Sequence, residues 1–184
     1  MSGRLAVRPG HAADLRESGP VVANSSGESW KSRLVRWRFN VFPAYWGTGA
    51  RVTYIAGDWQ EIRIKLPLSW RTRNYVGTIY GGSLYGAVDP FYMLMLMRCL
   101  GPRYIVWDKA AAIRFRRPGR STLEAEFLIS PQIVDSIRAE LAQTPKVDRV
   151  FIVELRSRDG SVHAIIEKTV HISRRDPASP GTGS

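Results

Sequence analysis

At 184 residues, the chain is long enough for one domain with a substantial hydrophobic core. Its single cysteine, Cys99, excludes an intramolecular disulfide and a four-cysteine zinc site. The formal net charge of +11 is concentrated in residues 30–120. That distribution suits an anionic ligand, a nucleic acid or a lipid surface, although it would also serve solubility.

Residues 1–29 and 175–184 predict two disordered tails around a single domain at 30–174. The first is rich in Gly, Ser, Ala and Arg and the second in Pro, Gly and Ser, and neither shows an apolar period. No secretory signal is recognisable in residues 1–29. The apolar stretch 79–100 contains Asp89, Pro90 and Arg98, which argues against a membrane span. We therefore expect a cytoplasmic protein.

Residues 30–46 predict a helix that Pro43 ends or kinks. Apolar residues recur at three- and four-residue spacing and basic residues are interleaved with them: Trp30, Leu34, Trp37, Val41 and Tyr45, with Lys31, Arg33, Arg36 and Arg38. A basic helix with aromatic residues could lie on a membrane surface. The alternative, which we expect, is a helix packed on the domain with a solvated basic side.

Alternating patterns predict six strands and one further short helix. The strands are expected at 51–56, 60–66, 104–116, 123–129, 150–156 and 161–173, and the short helix after Ser130 and Pro131. In the strand 104–116 the pattern assigns Trp107 to the apolar face and Asp108 to the polar one. In the last strand, Lys168 is the one polar residue of an otherwise apolar face.

The stretch 74–100 is expected to form the centre of the fold. A glycine-rich loop leads into a run that is apolar almost all round, as expected of a helix enclosed by a sheet. We therefore predict an α+β fold in which an antiparallel sheet of about six strands wraps around one long apolar helix. Asp89 lies inside this run. It is either a site residue or the N-cap of a helix that begins at Pro90.

The spacing of Asn74, Gly77, Gly81, Gly82 and Asp89 resembles the hotdog-fold thioesterase superfamily. It is most similar to acyl-CoA thioesterases of the phenylacetate-pathway type and to a related uncharacterised bacterial branch, DUF4442. Tyr80 stands where that family usually has His. The resemblance extends over roughly residues 50–173.

The resemblance implies hydrolysis of an acyl-CoA thioester, a hotdog fold, and a homodimer or a dimer of dimers with its sites at the subunit interface. It implies that the backbone N–H at Gly81 polarises the carbonyl, that Asp89 acts as base or nucleophile, and that Asn74 places substrate or water. Tyr80 and Gly82 are then expected to contact the substrate. The alternatives are a turn role for Asn74 and a packing role for Tyr80.

Arginines after the central stretch are candidates for binding the phosphates of coenzyme A: Arg114, Arg116 and Arg117. The alternative is a solvated basic face. His11, His163 and His171 do not cluster, so we expect no metal, and no pattern suggests a cofactor. A non-catalytic hotdog protein that binds an acyl or aromatic ligand remains the second hypothesis. A nucleic-acid partner would rest on charge alone, and none is expected.

Overall fold

The computed structural model describes residues 26–175, which form one six-stranded sheet with five helices. The elements are α1 (Trp30–Val41), α2 (Pro43–Gly47), β1 (Arg51–Ile55), β2 (Glu61–Leu66), α3 (Gly81–Val88), α4 (Phe91–Leu100), β3 (Tyr104–Phe115), β4 (Leu123–Leu128), α5 (Pro131–Gln143), β5 (Lys146–Ser157) and β6 (Val162–Arg174). The strand order is β1-β2-β4-β5-β6-β3, and every pair is antiparallel. The predicted fold class is confirmed.

The core lies between the sheet and the two central helices. Phe91 of α4 is fully buried, and its ring centroid lies 4.8 Å from that of Phe127 on β4. The predicted single helix is divided into α3 and α4 at Asp89 and Pro90, because proline has no N–H to continue the helical hydrogen bonds. Both residues keep helical backbone angles, so no extended linker separates the two segments.

Helix α1 packs on β1 and ends where expected. The chain leaves the helical conformation at Phe42 and resumes it at Pro43. The side chain of Asn40 ties α1 to β1, since it donates to the carbonyl of Val52 and accepts from its amide, at 3.0 and 2.8 Å. Val35 and Phe39 pack against the core. Four of the five apolar positions that predicted the helix lie elsewhere on α1 and are exposed, whereas Tyr45 lies in α2 and is buried.

The start of the described chain is held against the sheet. Ser26 donates its amide to Asp58 in the turn between β1 and β2, at 3.1 Å, and Ser29 caps α1. Residues 26–29, which the sequence assigned to the first tail, thus contact the domain. The other residues of the predicted tails lie outside the described range. Within residues 26–175, no helix is long and apolar enough to cross a membrane.

Among residues 26–175, strand β3 forms one edge of the sheet and is paired with β6 alone. Its register shifts between Asp108 and Ala110, as at a β-bulge, which alters the direction of side chains along a strand. Because of this shift, the residues before it alternate in the opposite sense to those after it. Trp107 is therefore exposed, while Asp108 reaches the amine of Lys168 on β6. The assignment of Trp107 to a packed apolar face is therefore wrong. The other edge strand, β1, is covered by α1.

Candidate active site

Asn74 organises the loop that precedes α3. Its Oδ1 accepts from the amides of Val76 and Thr78 at 3.1 and 3.0 Å, and its Nδ2 donates to the Thr78 hydroxyl at 2.9 Å. Gly77 has a φ of 79°, a left-handed conformation that glycine adopts without strain. The Asn74 side chain is thus engaged in the loop, and its observed contacts are those of a turn residue.

The loop delivers Gly81 to the start of α3. The amide of Ile79 donates to Gly119 at 2.9 Å and that of Tyr80 donates to Thr72 at 2.7 Å, so the chain is held on both sides. The first amides of a helix have no acceptor within it and point outward from its end. No side chain caps α3. Its N-terminus can therefore donate to a carbonyl oxygen or an anion.

The ring of Tyr80 covers Gly82. A Cβ at Gly82 would overlap the Tyr80 ring, which lies against the helix with 60% of the residue exposed. At Gly81 a Cβ would lie 3.2 Å from Cζ of Phe115. Phe115 thus lies close to Gly81.

A cleft of about 380 Å³ opens at this end of α3. It is lined by Asn74, Thr78, Ile79, Gly81, Leu84, Phe115, Arg116, Arg117, Pro118 and Gly119. Two of the three predicted arginines therefore border it, whereas Arg114 lies on the exposed part of β3 outside its lining. Both bordering arginines are exposed. The cleft thus combines helix amides, apolar walls and two cations.

Asp89 lies at the other end of α3, where it binds a buried lysine. Lys168, whose side chain is fully buried, donates to Oδ1 and to the backbone carbonyl of Asp89 at 2.7 and 2.8 Å. Its third bond goes to Oδ2 of Asp108 at 2.9 Å. Asp89 has helical backbone angles and does not cap α4, so its capping alternative does not describe this structure. Its side chain remains 45% exposed.

The electrostatics of this cluster keep the lysine charged. Burial favours the neutral amine, but the hydrogen bonds and charges of Asp108 and Asp89 outweigh it, so the pKa of Lys168 is raised. Burial also raises the pKa of Tyr85, and a hydrogen bond with Asp89 adds to this effect. A protonated Lys168 has three donors, and all three are used here. The cluster thus holds the Asp89 carboxylate with part of it facing solvent.

The two ends of the candidate site are well separated within one chain. Gly81 and Asp89 are eight residues apart along a helix that rises 1.5 Å per residue, which puts them about 12 Å apart. Strand β3 runs beside both ends, since Phe115 faces Gly81 while Asp108 shares Lys168 with Asp89. A single small chemical group therefore cannot contact both ends of the same α3.

Sequence reasoning missed Lys168 and Asp108. The sequence pattern could have identified Lys168, because a lysine on an inward strand face needs a partner. It could not have identified Asp108, because the inward position of Asp108 depends on the irregularity in β3. Within residues 26–175, no three His, Cys, Asp or Glu side chains are grouped so that they could hold a metal ion.

Comparison with known proteins identifies the family. Residues 31–172 match the family described as "Domain of unknown function (DUF4442)". No curated protein matches the chain. The structure resembles PA5026 from Pseudomonas aeruginosa, a protein of unknown function described as a probable thioesterase, with a TM-score of 0.69 and 17% identity over 82% of this chain and 99% of that chain.

Two further solved structures share the fold at low sequence identity. Thioesterase HI1161 from Haemophilus influenzae has a TM-score of 0.60 and 13% identity over 84% of this chain and 99% of that chain. A mutant of the thioesterase PA1618 from Pseudomonas aeruginosa has a TM-score of 0.55 and 15% identity over 78% of this chain and 93% of that chain. These structures confirm the predicted hotdog fold, and the match over residues 31–172 shows that the chain belongs to the DUF4442 family.

Proposed function

We propose that this protein hydrolyses acyl thioesters, with coenzyme A as the carrier, and that it does so as a homodimer. The observation that carries the proposal is the Asp89 carboxylate, which is anchored by buried Lys168 and still partly open to solvent. The thioesterase descriptions of structures with the same fold support the same reaction class.

The amides at the start of α3 bind the thioester carbonyl. As water adds to the carbonyl carbon, negative charge develops on the carbonyl oxygen, and backbone donors aimed at that oxygen stabilise it. Gly81 is suited to this position because it has no side chain to fill the space between the amide and Phe115. Gly82 and Tyr80 are next to Gly81 in the chain but do not line the cleft, so they would contact the substrate only at its rim.

Asp89 activates the attacking water. The carboxylate accepts a proton from water, the oxygen adds to the carbonyl carbon, and the carbon–sulfur bond then breaks. The thiolate of the carrier leaves and takes up the proton that Asp89 accepted, and the carboxylic acid product releases its own proton to solvent, so the products are a carboxylate and a free thiol. Lys168 keeps Asp89 oriented and its charge compensated. Asn74 acts indirectly, by holding the loop that delivers Gly81.

The site is completed by a second copy of the chain, because Gly81 and Asp89 of one α3 are about 12 Å apart. In the part of the chain that the structure describes, strand β3 has an unpaired edge beside both residues. A two-fold axis near Ala111 and Ala112, which are small and exposed, would pair the two β3 edges in antiparallel fashion. Gly81 of one copy would then face Asp89 of the other.

Arg116 and Arg117 bind the phosphates of coenzyme A at the mouth of the cleft. Both line the cleft and are exposed, so a long anionic carrier can reach them from solvent. Arg114 lies two residues before Arg116, on β3, and can add to the same positive field. Exposed charges are screened by salt, so binding weakens as ionic strength rises.

The test is hydrolysis of a panel of short, long and aromatic acyl-CoA thioesters by the wild type, Asp89→Asn and the control Asp135→Asn. Asp135 is an exposed carboxylate on α5, and its loss should have no effect. Loss of a catalytic base typically lowers the rate about 10²- to 10⁴-fold. An Asp89→Asn protein that is as active as Asp135→Asn refutes the assignment. A wild type that binds these thioesters without cleaving them supports the non-catalytic alternative, for which Tyr80 in place of His is the motivation.

A further inference from the structure

Helix α1 presents an exposed apolar face that points away from the domain. Its members are Trp30, Leu34, Trp37 and Val41, which we call the tryptophan face, and all four are more than half exposed. At about 100° per residue they fall within about 60° of one another around the helix. The residues that pack on the core, such as Phe39, lie on the opposite side.

Cations flank the tryptophan face on both sides. In the same helical projection Lys31 and Arg38 lie on one side and Arg33 on the other. These three residues are exposed, and α1 contains no acidic residue. The fourth cation of the helix, Arg36, lies toward the domain and pairs with Glu28 at 2.7 Å. The outer half of the helix is therefore aromatic along its centre and positive along its edges.

The apolar surface continues beyond α1 toward the loop that precedes the candidate site. Phe42 and Trp46 are also more than half exposed. Trp70, in the loop between β2 and α3, is 86% exposed. Arg71 connects these elements, since its Cζ lies 4.1 Å above the Trp46 ring. A group of large apolar side chains exposed in this way marks an interaction surface.

We infer that this surface binds the interface of an anionic lipid bilayer. Tryptophan is favoured at the boundary between headgroups and acyl chains, and a helix with apolar residues on one face and flanking Lys or Arg lies in that plane. The aliphatic Leu34 and Val41 fit acyl chains but offer no ring on which a nucleic-acid base could stack. Two copies of the chain that docked through the tryptophan face would bring its flanking cations close together, which is unfavourable. The inference does not depend on the proposed catalysis, because its test measures binding.

The first test removes the apolar anchors. The full chain is sedimented with vesicles of phosphatidylglycerol and phosphatidylcholine in equal parts, and with vesicles of phosphatidylcholine alone. We expect binding to the anionic vesicles and about tenfold or greater loss in Trp30→Ala/Trp37→Ala, since each ring withdraws a large apolar area from water. The control Val150→Ala/Ile152→Ala removes exposed apolar side chains from β5 and should bind as the wild type does.

The second test separates a local positive surface from the overall charge. Arg33→Glu/Arg38→Glu and the control Lys146→Glu/Arg158→Glu change the net charge equally, and all four residues are exposed. A basic side chain near an anionic membrane contributes about a fivefold change in partitioning, so the first variant should lose at least about 30-fold. The control should lose much less.

Several results would overturn the inference. One is that the wild type does not bind anionic vesicles; another is that the Trp and Arg variants bind no worse than their controls. A change in oligomeric state on mutation of Trp30 and Trp37, seen by light scattering without vesicles, would assign the face to a contact between copies. Displacement from vesicles by a single-stranded oligonucleotide that requires the same tryptophans would assign it to nucleic acid.

Discussion

Replacing Lys168 with methionine should destabilise the domain by about 3 kcal/mol, because breaking a buried ion pair leaves uncompensated charge. The variant keeps the length and apolar stem of the side chain but removes three donors, at 2.7 to 2.9 Å from their acceptors. Asp108, with 23% of its side chain exposed, would carry most of the penalty. Asp89 is better solvated, which keeps the loss near the lower end of the usual range.

The assay is thermal unfolding beside two comparison variants. A loss of about 3 kcal/mol lowers the melting temperature of a domain of this size by about 6 to 12 °C. Lys65→Met is the control, because its pair with Glu124 at 3.0 Å is half exposed and should contribute less than about 1 kcal/mol. Lys168→Met/Asp108→Asn should recover part of the loss. A melting temperature for Lys168→Met equal to that of Lys65→Met would refute this reasoning.

The pH dependence of the same comparison follows from the raised pKa of Lys168. A lysine whose folded-state pKa exceeds its unfolded value stabilises the protein fully below the unfolded pKa of about 10.4. That contribution is lost as the pH rises through the folded value. The stability difference between wild type and Lys168→Met should therefore be constant near neutrality and narrow in strong alkali. A difference that grows with pH would contradict the assignment.

Two further predictions concern single side chains. Burial, with the charge of Asp58, raises the pKa of the Cys99 thiol to about 11. The reaction of this thiol with a disulfide reagent should therefore be slow at neutral pH and accelerate toward pH 11. Rapid labelling of the folded protein at pH 7 would contradict this. Asn74→Ala should cost about 1 to 3 kcal/mol in thermal or urea unfolding, because the amides of Val76 and Thr78 lose their acceptor. Asn74→Asp keeps an acceptor and should cost less, and equal losses would count against the loop role.

The sequence was sufficient for the fold because local patterns and the central stretch agree. Strand alternation predicted all six strands, and the apolar run after Gly81 predicted the enclosed helix. The spacing made Asp89 a candidate site residue. A carboxylate within an apolar run also needs a partner, and Lys168 is that partner. The division at Pro90 follows from the missing N–H, yet the helical angles of Asp89 could not be distinguished in advance from a capping conformation.

The partners of Asp89 and the orientation of α1 depended on tertiary structure. Lys168 and Asp108 come from β6 and β3, distant in sequence from Asp89, and the register shift in β3 has no local signature. The period of α1 predicted a helix but not which side contacts β1. Phe39 and Asn40 make those contacts, which leaves Trp37 on the outside.

The most direct test of the proposed shared site is complementation between two inactive variants. Asp89→Asn removes the carboxylate, and Gly81→Val fills the space between the first amide of α3 and Phe115. Each variant alone should hydrolyse acyl-CoA at a small fraction of the wild-type rate, with folding checked by thermal melts. After subunit exchange at equal concentrations, half of the dimers are mixed and each has one intact site, so about a quarter of the wild-type activity should return. A mixture that stays inactive although mixed dimers form would contradict a site built from two copies.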